Sequence, residues 1–155
     1  MEAKIQQPLI SSEFVHRERL IARMKDESKR LVLLHAPMGY GKTVLLTQYA
    51  QNAREDCVWY HLSDMDNDGV LFMQYLSASI KKSLPAFDFD FQDYAPLLQE
   101  EDAFEAMIHD FAYKTGEAVS ASGRGAVLIL DDFQVINCED IYRVIRLLLD
   151  HTGKK

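Results

Sequence analysis

Apolar and polar positions follow two different periods along this chain, and the places where the period changes mark its elements. Residues 31–35 and 126–132 open with runs of consecutive apolar residues, as expected of strands covered on both faces in a parallel sheet. Residues 57–62 (Cys-Val-Trp-Tyr-His-Leu) are rich in strand formers and predict a further strand. Elsewhere the apolar residues recur at helical spacing. Residues 17–26 predict a short helix with Leu20, Ile21 and Met24 on one face. Residues 42–53 predict a helix that buries Val44, Leu45 and Tyr49. Residues 70–83 present Val70, Phe72, Met73, Leu76 and Ile80, and Pro85 closes that element. Residues 102–121 predict another helix, and residues 139–150 a last one with Ile141, Val144, Ile145 and Leu148 inward.

The remaining stretches read as connections. Residues 1–15 look loosely structured, 63–69 form a polar turn, and 122–125 turn into the strand that begins at Ala126. Residues 86–101 mix acids with aromatics (Phe87, Phe89, Phe91, Tyr94). A cation site would cluster its oxygens at fixed loop spacing, which is absent here. A surface loop pinned by its aromatics is the preferred reading. No strand is visible after residue 137, and there is no internal repeat.

Composition narrows the function classes. A chain of 155 residues that is 48% hydrophobic and 26% charged can bury a core and suits one domain. A net charge of −7, with no Lys/Arg cluster, argues against a nucleic-acid-contacting surface. Cys57 and Cys138 make no metal-ligand spacing and require no disulfide, which fits a reduced cytosol. No signal-peptide core or run of transmembrane length is present, so a cytoplasmic location without membrane contact is expected.

The chemistry concentrates where the first apolar run ends. Residues 31–43 read Leu-Val-Leu-Leu-His-Ala-Pro-Met-Gly-Tyr-Gly-Lys-Thr. This is a strand, a glycine-bracketed loop and a helix start, the layout of a phosphate cradle. The strict phosphate-loop pattern wants glycine where Ala36 stands. Gly39 and Gly41 let backbone amides approach an anion. Lys42 supplies a mobile charge for the β and γ phosphates, and the Thr43 hydroxyl can ligate Mg²⁺. Pro37, Met38, Gly39, Tyr40, Gly41, Lys42, Thr43 and Val44 are therefore assigned to the nucleotide. A complementary strand ends at Asp131 and Asp132, and ligands of open α/β sheets bind at the carboxyl ends of strands. Asp131 is assigned to Mg²⁺ through a water, and Asp132, with Lys42, to catalysis by polarising the attacking water. The five histidines are scattered. His35 and His61 fall near strand ends by the site, where a hydrogen-bonded core or edge histidine is the preferred reading.

Four stretches together resemble a family. They are residues 15–20 (Val-His-Arg-Glu-Arg-Leu), the loop 36–43, residues 58–68 with Trp59 and the Asp-Asn turn, and residues 128–134 (Leu-Ile-Leu-Asp-Asp-Phe-Gln). The chain resembles the nucleotide-binding domain of STAND signalling ATPases, in particular large LuxR-type transcriptional activators of the maltose-regulon type. In that family Ala36 and Tyr40 are normal, whereas Gln134 stands where His is frequent and Val44 replaces a common second Thr. The resemblance implies an α/β P-loop NTPase fold, a parallel sheet flanked by helices. It implies an N-terminal segment and short helix over 1–27 and a core over 28–155. It also implies ATP or ADP with Mg²⁺, and a nucleotide-contacting Arg17 at the head of residues 17–20.

The same resemblance implies that the strand following Asp131 lies between it and the first strand. The chain is thus expected to be a fragment that stops before its later core strands. Either the first and Asp131 strands pair directly, or a partner fills the gap. The expected function is the ATP-binding, slowly hydrolysing switch of a signal-responsive transcriptional regulator. Its partners would be the nucleotide, the parent's sensor repeats and DNA-binding helix-turn-helix, and further copies of itself. Weak ATPase activity is expected of the parent, and of the fragment itself only binding. The alternatives are a small-molecule kinase, which would need an arginine lid (Arg124, Arg143 and Arg146 are available), and an interaction module that does not catalyse.

Overall fold

A computed structural model describes residues 2–11, 13–26, 28–94 and 103–152. The elements are α1 (Glu18–Met24), α2 (Lys42–Gln51), β1 (Asp56–His61), α3 (Gly69–Ser83), α4 (Ala103–Ser122), β2 (Ala126–Asp131) and α5 (Glu139–Thr152), with short 3-10 turns at Glu2–Ile5, Asp64–Asp66, Phe91–Asp93 and Phe133–Val135. The chain is an α/β protein built on a parallel pair of strands. No helix among the described residues is long and apolar enough to cross a membrane.

Strand alternation sorts the core into two layers. Val58, Tyr60 and Leu128 face α3, α4 and α5, where they meet Phe72, Leu76, Met107, Phe111 and Ile141. Trp59 and Ile129 face the other way and pack with Ile21, Leu45 and Tyr49 of α1 and α2. The period-3.6 faces of α3, α4 and α5 therefore cover one side of the pair. Val44, expected in this core, is only half-buried at the start of α2, and Leu46 packs there instead. Leu20 is exposed.

β1 and β2 run in register from Asp56 beside Ala126 to His61 beside Asp131. The outer edge of β1 is covered by α3, whose Ser79 and Ser83 hydroxyls donate to the Trp59 and Cys57 carbonyls at 2.6 and 2.9 Å. The outer edge of β2 carries no ladder among the described residues.

The strand expected over 31–35 is the main correction. These residues join no ladder. Leu31 and Leu33 are 65% and 78% exposed, and only Leu34 packs against the α1–α2 core. The apolar run is real, but a strand needs a neighbour for its amides and carbonyls. No strand among the described residues supplies that neighbour, and none follows β2 there. Direct pairing of residues 31–35 with β2 does not occur.

In the described part of the acidic-aromatic stretch, Phe87 is fully buried and Phe89 stacks on Tyr94 and meets Phe111 edge-on. Residues 95–101 of that predicted loop, and residue 102, lie outside the described residues.

The N-terminal segment is tied down by a buried ion pair. Lys4 reaches Asp66 at 2.6 Å, and Asp66 is fully buried. Asp66 also accepts from the Tyr60 hydroxyl (2.8 Å) and the Ser63 amide (2.7 Å). Burial pushes the Asp66 carboxyl up, but its bonds to Lys4, Tyr60 and Ser63 outweigh burial and hold it below the usual value.

Candidate functional site

The phosphate-loop residues lead directly into α2. Gly39 and Gly41 both adopt positive φ, +83° and +77°, which only glycine takes without strain. A side chain at Gly39 would meet nothing within 4 Å, so open space lies beside the loop there. Leu45 is the first α2 amide with a helical partner, the Gly41 carbonyl at 3.0 Å. The amides of Lys42, Thr43 and Val44 therefore have no intrahelical acceptor, and the positive end of the α2 dipole lies at the loop. Pro37, Met38 and Tyr40 form the turn itself. Met38 is 96% exposed and Tyr40 64%.

Lys42 folds back on its own loop, where its ammonium donates to the Ala36 carbonyl at 2.9 Å and lies 3.4 Å from that of Pro37. Arg17, just before α1, donates to the Tyr40 carbonyl at 3.0 Å. Its guanidinium lies so close to Gly41 that a side chain there would meet it at 3.3 Å. The residue read from the sequence as a nucleotide contact thus sits against the phosphate loop.

The second half of the site comes from β2. Thr43 donates its hydroxyl to Asp131 at 2.8 Å across 88 residues of sequence, which brings the loop and the strand end together. Asp131 is 1% exposed. Asp132 follows in the left-handed region at φ 62°, unlike any other non-glycine residue among the described ones. Its carboxylate is partly exposed and accepts from the Gln134 amide at 2.8 Å. Gln134, which departs from the family's frequent His, so holds one oxygen of Asp132.

The residue that sequence reasoning set aside is His61. Register places it beside Asp131 at the end of β1. Its Nδ1 lies 3.4 Å from Asp131 Oδ2 and 3.9 Å from Asp132 Oδ2. The signal in sequence is weak, because 70 residues separate His61 from Asp131 and only the strand register brings them together. His35 is exposed, and no hydrogen bond joins it to another of the described residues.

The loop, helix start and carboxylate strand end define a P-loop ATPase domain, and the AAA domain family matches residues 24–155, so the chain belongs to that family. Within it, the chain is similar to bacterial transcriptional regulators. It is 30% identical to the HTH-type transcriptional regulator MalT of Klebsiella pneumoniae over 96% of the chain and 16% of the relative. It is 31% identical to MalT of Vibrio cholerae over 79% of the chain and 13% of the relative. The resemblance to large LuxR-type activators of the maltose-regulon type is thereby borne out. The chain spans about one-sixth of the length of these relatives.

Proposed function

We propose that this chain is the ATP·Mg²⁺-binding switch domain of a transcriptional regulator. The observation that carries the reading is the 2.8 Å bond from Thr43 to Asp131, which joins the phosphate loop to the carboxylate strand end. Three α2 amides without helical partners lie beside that junction, and Lys42 needs only to leave two loop carbonyls to reach a phosphate. The similarity to MalT proteins, named as transcriptional regulators, supports the regulatory setting.

The residues fit a magnesium-bound nucleotide. Thr43 gives its one proton to Asp131, which leaves its oxygen lone pairs free for a cation. Thr43 would hold Mg²⁺ directly and Asp131 through a water. Bound Mg²⁺ neutralises phosphate charge and orients the transferred group. The loop amides and Lys42 bind phosphate oxygens, and Arg17 closes the loop from the α1 side. Asp132 accepts a proton from the attacking water. The Gln134 side-chain amide donates to one of its oxygens and leaves the other for the water.

ATP with Mg²⁺ would favour an active, self-associating form of the longer regulator, and hydrolysis would reset it. The kinase alternative gains no support. Arg124 is engaged with Asp56 at 3.3 Å, and Arg143 with Glu105 and Asp140, so neither is placed as a lid.

Single-turnover hydrolysis of ATP by the wild-type chain and by Asp132→Asn, with binding measured in parallel, tests the reading. Retained binding with turnover reduced at least about 100-fold supports it, the range expected for removing a positioned base. Equal turnover in both would remove Asp132 from catalysis, and absence of binding by the folded wild-type chain would overturn the reading.

A further inference from the structure

We infer that His61, Asp131 and Asp132 form a binding site for a first-row transition-metal ion, one that does not depend on nucleotide. The three groups converge from two adjacent strand ends. One ligand atom from each, an imidazole nitrogen and two carboxylate oxygens, all lie within 4.8 Å of one another. His61 Nδ1 is 3.4 Å from Asp131 Oδ2 and 3.9 Å from Asp132 Oδ2. Metal–ligand bonds of about 2.0–2.2 Å separate neighbouring ligands in a tetrahedral shell by about 3.3–3.6 Å. His61 Nδ1 and Asp131 Oδ2 already stand at that spacing, and the Asp132 carboxylate must move inward to join them on one ion.

The backbone explains the convergence. Parallel register sets His61 beside Asp131, on the same side of the strand pair. Regular alternation would send Asp132 to the opposite side. Its left-handed conformation at φ 62° ends the alternation, and its Oδ2 returns towards the other two groups. Aspartate tolerates that conformation better than most residues.

Electrostatics points the same way. Asp131 is 1% exposed, yet among the described residues no lysine or arginine pairs with it. Its neighbours are a threonine hydroxyl and the His61 ring. A buried carboxylate without a full positive partner is costly, and a divalent ion supplies that charge. The imidazole decides which ion. Mg²⁺ prefers oxygen ligands and retains several waters, whereas nitrogen donors favour Zn²⁺ and its first-row neighbours. The site thus extends past the magnesium position assigned to Thr43 and Asp131, and selects a different class of metal.

The test is calorimetric titration of the nucleotide-free 155-residue chain with Zn²⁺ and, separately, with Mg²⁺. The variants are His61→Gln, which can still hydrogen-bond Asp131, and His109→Ala as a control for surface histidine. The expected result is one equivalent of Zn²⁺ bound at least about tenfold more tightly than Mg²⁺, weakened at least about tenfold by H61Q and unchanged by H109A. Equal Zn²⁺ affinity in wild type and H61Q, or a loss that follows H109A, overturns the proposal. Should H61Q fail to fold, pulsed EPR of Mn²⁺ bound to the wild-type chain decides. Coupling to one imidazole nitrogen supports the site, and its absence rejects it. Mg-ATP binding by the same wild-type preparation is scored separately, so failure of the nucleotide reading leaves this result unaffected.

Discussion

At the scale of single residues, the most exposed weakness of the fold is one carboxylate. Asp66 is fully buried and accepts from Lys4, Tyr60 and Ser63. Its removal leaves the buried Tyr60 hydroxyl and the Ser63 amide without their acceptor. Asp66→Ala is expected to cost about 3–5 kcal/mol, read from urea unfolding at neutral pH. Because the folded carboxyl is held below its ordinary value, its contribution is present above the unfolded pKa. It is lost as pH falls from about 4 through the depressed folded value. The gap in stability between wild type and Asp66→Ala should therefore narrow in acid; a constant gap would show that charge plays no part. In the phosphate loop, Gly41→Ala forces a side chain into a left-handed position and against Arg17. A loss of about 1–2 kcal/mol is expected from the backbone alone, and a cost near zero would contradict the observed φ.

The residues that proved legible in the sequence were those whose chemistry is local. Lys42 and Thr43 are adjacent, and a strand-end rule sufficed to place Asp131 near them. His61 and Asp66 were not legible for the converse reason. Asp66 reads as one acid in a polar turn, and the Lys4 that makes it a buried ion pair is 62 residues away.

At the scale of elements, helices were read more faithfully than strands. The apolar face of α3 is self-contained in its sequence, and its start is fixed by Asp68, whose carboxylate accepts from the Leu71 amide at 2.9 Å. Asp68→Ala is expected to cost about 1 kcal/mol through loss of that cap, measured as a shifted denaturation midpoint. A strand, by contrast, is a property of two segments. Residues 57–62 and 126–132 became β1 and β2 because each supplies the other's partner. Residues 31–35 have an equally apolar pattern but no partner among the described residues, and so stay outside the ladder. The phosphate loop survives this because α2 and the Thr43–Asp131 bond position it from the other side.

At the scale of the whole molecule, the outer edge of β2, unpaired among the described residues, and the exposed Leu31 and Leu33 belong to one picture. Open edges and adjacent apolar side chains are templates for pairing with another chain. The isolated 155-residue chain is expected to self-associate with rising concentration in sedimentation velocity. Leu33→Lys should reduce that association with little loss of stability, since Leu33 is 78% exposed. Equal association in both would place the contact elsewhere.

The central claim is that the loop at residues 36–43 and the end of β2 form one nucleotide site. It is tested most directly by titrating Mg-ATP and Mg-ADP into the purified chain, wild type against Lys42→Ala. Saturable binding by the wild type, abolished or weakened at least about 100-fold in a folded Lys42→Ala chain, is the expected result, since loss of a charged phosphate contact removes about 3 kcal/mol. Equal binding by the two, or none by a folded wild type, would contradict it.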